Sequence, residues 1–194
     1  MTPSAARGII ESIYWHPGMR WVIDRIRVCN PIQFINFKRN EVVYTINASD
    51  VRKAMFGGKE DLYMPSHSSG HIIQRAAMIL KDVHYVIDAH FEMTDKAAPG
   101  DNSGKFQEIT TRRIEKGQCY HQPCFGAREY PAKFQKCVTV PECPPELRGK
   151  HDLGWMLFDM DYSNKENIKP MFFRAVMVDG VIDVPAPDSE GVLH

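Results

Sequence analysis

Residues 83–93 alternate more strictly than any other part of the chain. Val83, Tyr85, Ile87, Ala89, Phe91 and Met93 share one side, His84, Asp88, His90 and Glu92 the other, and Val86 breaks the pattern. Successive side chains of an extended chain point to opposite faces, so this stretch reads as a strand with one face on a core and one in water. Such a strand belongs in an antiparallel sheet covered on one side, because parallel sheets bury both faces. His84 and His90 then read as plain exposed positions.

A helix precedes the sheet. Thr2 suits an N-cap and Pro3 the first helical position. Ala6, Ile9, Ile10 and Ile13 mark a buried stripe, and His16-Pro17-Gly18 stops the helix. Tyr14 lies about 40° round from Ile10, at the margin of that stripe, where the ring is covered and the hydroxyl can reach a rim. Residues 20–28 form a second strand whose alternation slips, which a bulge near Asp24 or burial on both faces explains. Asn30-Pro31 is a turn before a strand at 32–38. Periodicity is lost over 40–71, read as a surface insertion centred on residues 45–70. Later in the chain come a strand at 132–138, a proline-rich connector and strands at 153–162 and 170–178. Asp179-Gly180 is a two-residue hairpin signature, and residues 185–194 are expected to be loose. Helix, strands, loop, strand, helix and strands make an α+β fold with a mainly antiparallel sheet.

The 194 residues suit one full domain, with the apolar and charged content of a soluble globule. No apolar run approaches the roughly 18 residues of a membrane span, and residues 1–5 are not a secretory leader. A cytoplasmic protein without a membrane partner is expected. Net charge is zero but segregated: +4 over residues 1–40, −3 over 41–103, +4 over 104–150 and −5 over 151–194. A basic patch on a neutral protein follows. Five cysteines (29, 119, 124, 137 and 143) form no CxxC. Cys119, His121 and Cys124, with Cys137 or Cys143, match no recognised zinc spacing, so reduced thiols and no metal are expected.

The first +4 segment carries the helix that ends at Tyr14, and the second carries another. Asn102 and Ser103 offer capping oxygens, residues 104–117 run without proline, and Gly117 is a stop with Lys116 in the last turn. At about 100° per residue, Lys105, Arg112 and Lys116 fall within roughly 40° of one another, with Phe106 and Ile109 beside them. A turn-rich loop follows, bearing Tyr120, His121, Gln122 and Arg128. A cationic face feeding such a loop suits a phosphate backbone, and it also suits bulk water.

Several separate blocks resemble the Cas-five family of CRISPR-associated proteins in its subtype I-C form: residues 2–15, 21–24, 39–42, 82–92, 117–123, 126–129 and 152–156. The resemblance implies a ferredoxin-like, RNA-recognition-type domain (1–130) with the 45–70 insertion, plus a small C-terminal β region with a loose tail (131–194). It implies metal-independent, cofactor-free cleavage of CRISPR repeat hairpins in precursor CRISPR RNA. The 5′ handle is then retained in a Cascade complex with backbone and large subunits. The family places a further strand and hairpin ahead of the first helix, so a coding sequence that begins upstream is expected, the alternatives being a truncated chain or a partner that covers the gap.

The family uses a tyrosine on the first helix and a Lys-His pair opening the second. Tyr14 and Lys105 match the first two; Phe106 stands at the histidine position. Metal-free RNA cleavage makes the 2′-hydroxyl the nucleophile, so protons must be moved and the phosphorane stabilised. Imidazole suits the first task and Lys105 the second, while Tyr14 is a poor base unless cationic neighbours lower its pKa. His121 is the candidate substitute for the missing imidazole. Arg112, Arg113, Lys116 and Arg128 are expected on phosphates, and Tyr120, His121 and Gln122 on bases or sugars. The alternatives are a catalytically inactive subunit that binds the 5′ handle and a generic α+β interaction domain.

Overall fold

A computed structural model describes residues 1–43, 45–58, 62, 70, 72–164 and 166–193. It divides into two compact units, Met1–Pro31 with Val83–His194, and Ile32–Asp82.

The first unit opens with α1 (Pro3–Ile13). The Thr2 side chain accepts from the Ala5 amide, Pro3 takes the first turn, and the helix ends where Tyr14 turns extended. Next come β1 (Met19–Val28) and, after the second unit, β4 (Tyr85–Met93), paired antiparallel from Met19–Met93 to Val28–Tyr85. The register shifts between Ile23 and Arg25, so the expected bulge is present. It accounts for the slipped alternation: Trp21 and Ile23 before it, and Ile26 and Val28 after it, all reach the same buried side.

The helix α3 (Ser103–Glu115) follows, capped by the Asn102 side chain and stopped at Gly117, whose φ of 62° suits glycine. The strands β5 (Lys150–Asp161) and β6 (Lys169–Val178) pair along their lengths. Asp179 and Gly180, at φ 48° and 76°, then turn the chain into β7 (Val181–Asp183), as the Asp-Gly signature requires. The sheet order is β4-β1-β7-β6-β5.

Beneath the sheet, Ala6 of α1 meets Ile23, Ile26 and Val28 of β1, Phe158 of β5, Phe173, Ala175 and Met177 of β6, and Ile182 of β7. A fully buried side chain of this size stabilises by about 1.5–3 kcal/mol. A smaller cluster of Tyr14, Met19, Trp21 and Phe106 joins the end of α1 to the start of α3.

Two expectations need correction here. Residues 132–138 are not a strand. The single bridge between Cys124 and Pro131 falls just before them, they make no ladder of their own, and Val138 is 91% exposed. The apolar content of that stretch has no neighbouring edge to pair with. The end of the chain is also not all loose, since β8 (Val192–Leu193) pairs with β6 and buries Val192.

The second unit is a long hairpin of β2 (Gln33–Val42) and β3 (Ile72–Lys81), paired from Gln33–Lys81 to Val42–Ile72. Between them sits α2 (Ala48–Met55), capped by Asn47. The expected aperiodic region therefore holds a helix and the end of a strand. Its stretch at 63–69 lies outside the described residues.

Candidate active site

The site lies in the first unit, where the end of α1 meets the start of α3. Tyr14 is 8% exposed, and its carbonyl accepts from the buried Trp21 indole, 2.9 Å away. Phe106, on the first turn of α3, is fully buried, with its ring 6.2 Å from Tyr14 and 6.2 Å from Phe91. The third ring on Phe106 is His16, only 5.0 Å away.

Charge gathers around these rings. Lys105 donates to Asp101 Oδ1 at 2.8 Å, and the Ala98 amide donates to Asp101 Oδ2 at 2.9 Å. His16 Nδ1 lies 3.6 Å from Asp101 Oδ2 and accepts from the Gly18 amide at 3.0 Å. Arg113, two turns along α3, sets its guanidinium carbon 5.1 Å from the Tyr14 ring centroid and donates to the Ile13 carbonyl at 2.8 Å.

This geometry fixes most of the protonation states. Burial pushes the Tyr14 phenol up, and it outweighs the downward pull of Lys105 and Arg113. The phenol is a proton donor near neutral pH and not the base that cationic neighbours would have made. The hydrogen bond to Asp101 raises Lys105, which stays an ammonium ion, and the same bond holds Asp101 down as a carboxylate. The site therefore presents a neutral phenol, a fixed cation and an imidazole.

A family model described as CRISPR-associated protein (Cas_Cas5), in its Cas5d form, matches residues 1–185. The chain belongs to the Cas5d family. A Cas5d relative from Mannheimia succiniciproducens, named a CRISPR pre-crRNA endoribonuclease, is 46% identical over 190 residues, covering 95% of this chain and 83% of the relative. One of the same name from Thermus thermophilus is 33% identical over 203 residues, covering 95% and 80%. A functionally uncharacterized protein of Streptococcus mutans shares the fold with a TM-score of 0.68 at 23% identity, over 100% of this chain and 84% of that one. A crystal structure titled CRISPR-associated protein gives 0.66 at 21% identity, with the same coverage.

In this Cas5d chain the structure brings Tyr14 and Lys105 into one electrostatic neighbourhood. Arg112, Lys116 and Arg128 are exposed, with no ion pair among the described residues. Arg113 differs from that expectation: it is held on Tyr14 and the Ile13 carbonyl, so it braces the two helices. Gln122 is engaged as well, its amide donating to the Ala132 carbonyl at 2.9 Å. Tyr120 and His121 hang from the last turn of α1, both amides donating to the Ser12 carbonyl, with their exposed rings 4.3 Å apart. Among the described residues the ring partner of His121 is Tyr120 and not Tyr14. No group of three or more metal-ligating side chains forms among the described residues, Cys119, His121 and Cys124 included.

Sequence reasoning missed His16 and Asp101. Asp101 carried a readable signal, standing four residues before Lys105 where opposite charges pair. His16 carried none, because its closeness to Phe106 depends on two segments 90 residues apart in the chain.

Proposed function

We propose that this chain is a metal-independent endoribonuclease that cuts CRISPR repeat hairpins in precursor CRISPR RNA. It then holds the 5′ handle as a subunit of a type I-C Cascade complex in the cytoplasm, against the backbone and large subunits. The observation that carries the reading is the meeting of a protonated phenol, a fixed ammonium and a braced guanidinium at one helix junction. An exposed basic face, Arg112 and Lys116, continues from it along α3. The names of the two curated relatives point the same way.

In this reaction the 2′-oxygen bonds to phosphorus and the bond to the 5′-oxygen breaks, leaving a 2′,3′-cyclic phosphate and a 5′-hydroxyl. Lys105 neutralises charge as the phosphorane forms, and the Tyr14 phenol donates to a non-bridging oxygen. Both are donors fixed before the reaction begins, which is what makes such groups effective. Arg112, Lys116 and Arg128 hold backbone phosphates, and the Tyr120 and His121 rings offer faces for bases.

Repeat RNA incubated with the protein in EDTA tests the reading. Cuts at one position, slowed about 10²–10³-fold by Lys105→Ala, support it. Phe106 at the family's histidine position favours a second reading, an inactive subunit that only binds the handle. Tight binding without cuts identifies that case. Absent or salt-insensitive RNA binding refutes both, because phosphate contacts impose a steep salt dependence.

A further inference from the structure

We infer that His16 is the proton donor to the leaving group in this site, an imidazole supplied from the turn after α1. The inference rests on the endoribonuclease reading above and deepens it.

Phe106 cannot exchange a proton, and its ring forms the platform on which the His16 ring rests, 5.0 Å away. The neighbouring side chains cannot take the role. Lys105 is fixed as an ammonium, and Asp101 is a carboxylate occupied by Lys105 and the Ala98 amide. The Tyr14 phenol, raised by burial, is a much weaker acid than an imidazolium.

The turn that carries His16 is closely held. The Met19 amide donates back to the His16 carbonyl at 3.0 Å, and the Thr94 hydroxyl and amide donate to the Pro17 and Gly18 carbonyls. A Cβ at Gly18 would stand 2.9 Å from the Cα of Ala97, so only glycine allows this approach. The imidazole is therefore set on a fixed base, as a group that must meet a reacting atom has to be.

The ring's two nitrogens have different surroundings. Nδ1 accepts from the Gly18 amide, which keeps the neutral ring's proton on Nε2, and Asp101 Oδ2 waits 3.6 Å from Nδ1. Nε2 has no protein partner among the described residues, and the side chain is 35% exposed. When solvent protonates Nδ1, the Gly18 hydrogen bond is given up and the new Nδ1–H turns to the Asp101 carboxylate, so the acid form carries a proton on both nitrogens. As the phosphorus–oxygen bond breaks, Nε2–H passes its proton to the departing 5′-oxygen, and the ring is left for the moment as the other neutral tautomer, with Nδ1–H held toward Asp101. The 2′-hydroxyl proton is released to water as the 2′-oxygen attacks. A proton from solvent then restores the imidazolium.

The test uses repeat RNA with sulfur in place of the 5′-bridging oxygen at the cut. A thiolate departs without being protonated, so this substrate does not need the acid. His16→Asn retains an acceptor for the Gly18 amide and removes Nε2. The expected result is ordinary RNA cut about 10²–10⁴-fold more slowly than by the parent, with the sulfur-containing RNA cut within a few-fold of the parent rate. Equal rates for parent and variant on ordinary RNA overturn the assignment. Equal slowing on both substrates also overturns it, since that marks a residue that only positions others. The ratio of the two rates in one preparation does not depend on the folded fraction, so partial unfolding of the variant cannot mimic either result. A parent protein that cuts neither RNA fails the endoribonuclease reading itself.

Discussion

Truncating Phe106 to alanine removes a ring shared by Tyr14, His16 and Phe91, at 6.2, 5.0 and 6.2 Å. The side chain is fully buried, so the change loses its transfer free energy and leaves a cavity; buried Phe→Ala substitutions cost about 3–5 kcal/mol. Against a typical total of about 5–15 kcal/mol, that is a large share of the stability. With an m-value of about 2 kcal/mol per molar urea, the unfolding midpoint falls by about 1.5–2.5 M. Tryptophan fluorescence in a urea titration reads it directly. Trp21 sits in the same cluster at 7% exposure, while Trp15 and Trp155 are more than half exposed and contribute little change. A midpoint shift below about 0.5 M would mean that the helix junction closes around the gap, and that Phe106 does not hold the site together.

The two neighbouring arginines should separate cleanly. Arg112→Ala lowers RNA affinity and reduces the slope of log affinity against log salt by about 1, whereas Arg113→Ala leaves that slope unchanged and costs about 1.5–3 kcal/mol in unfolding experiments, because a charged donor to the Ile13 carbonyl is lost. Acid should destabilise the fold through Asp101, held down by Lys105 and the Ala98 amide, and Asp152, held down by Arg174 and the Gly154 amide. Both carboxylates titrate lower folded than unfolded, so their stabilisation is present above about pH 4 and lost as the pH falls through the folded values. Calorimetry from pH 7 to 2.5 should show the decline only in the acid range, and it should be shallower in Asp101→Asn.

The features read correctly from the sequence are those decided within a few residues. Capping by Thr2 and Asn102, the Asp-Gly hairpin, the alternation over 83–93 and the slipped phase at Asp24 are all local. What depends on a partner elsewhere in the chain was hidden. The strand Ile72–Lys81 carries Ile72, Ile73, Ala76, Ala77, Met78, Ile79 and Leu80 without alternation, so nothing in it marks a strand until β2 lies beside it. Residues 132–138 have the right composition but no strand edge beside them. At the site, helical periodicity placed Lys105, Arg112 and Lys116 together, but it could not show that Arg113 turns inward to the end of α1. His16 and Asp101 meet only because that end packs on the first turn of α3.

The strand Val181–Asp183 carries the ladder between the two halves of its sheet. It meets β1 at Arg25, Ile26 and Arg27, and β6 at Met177 and Val178. The ladder across this sheet thus narrows to the three residues of β7, extended by the Val28 amide on the Gly180 carbonyl and the Val184 amide on the Asp24 carbonyl, while the long pairings β1–β4 and β5–β6 flank it. What keeps those two ribbons together is the oil beneath them, Ile182 between Ile26 and Met177, more than the stitching above. Side-chain packing tolerates small rotations that a ladder does not. The helix α1 spans that waist, with Ala6 in the core shared by both ribbons and Arg7 paired to Asp159 of β5 at 2.7 Å, so a twist of one ribbon against the other is carried to the candidate junction where α1 ends.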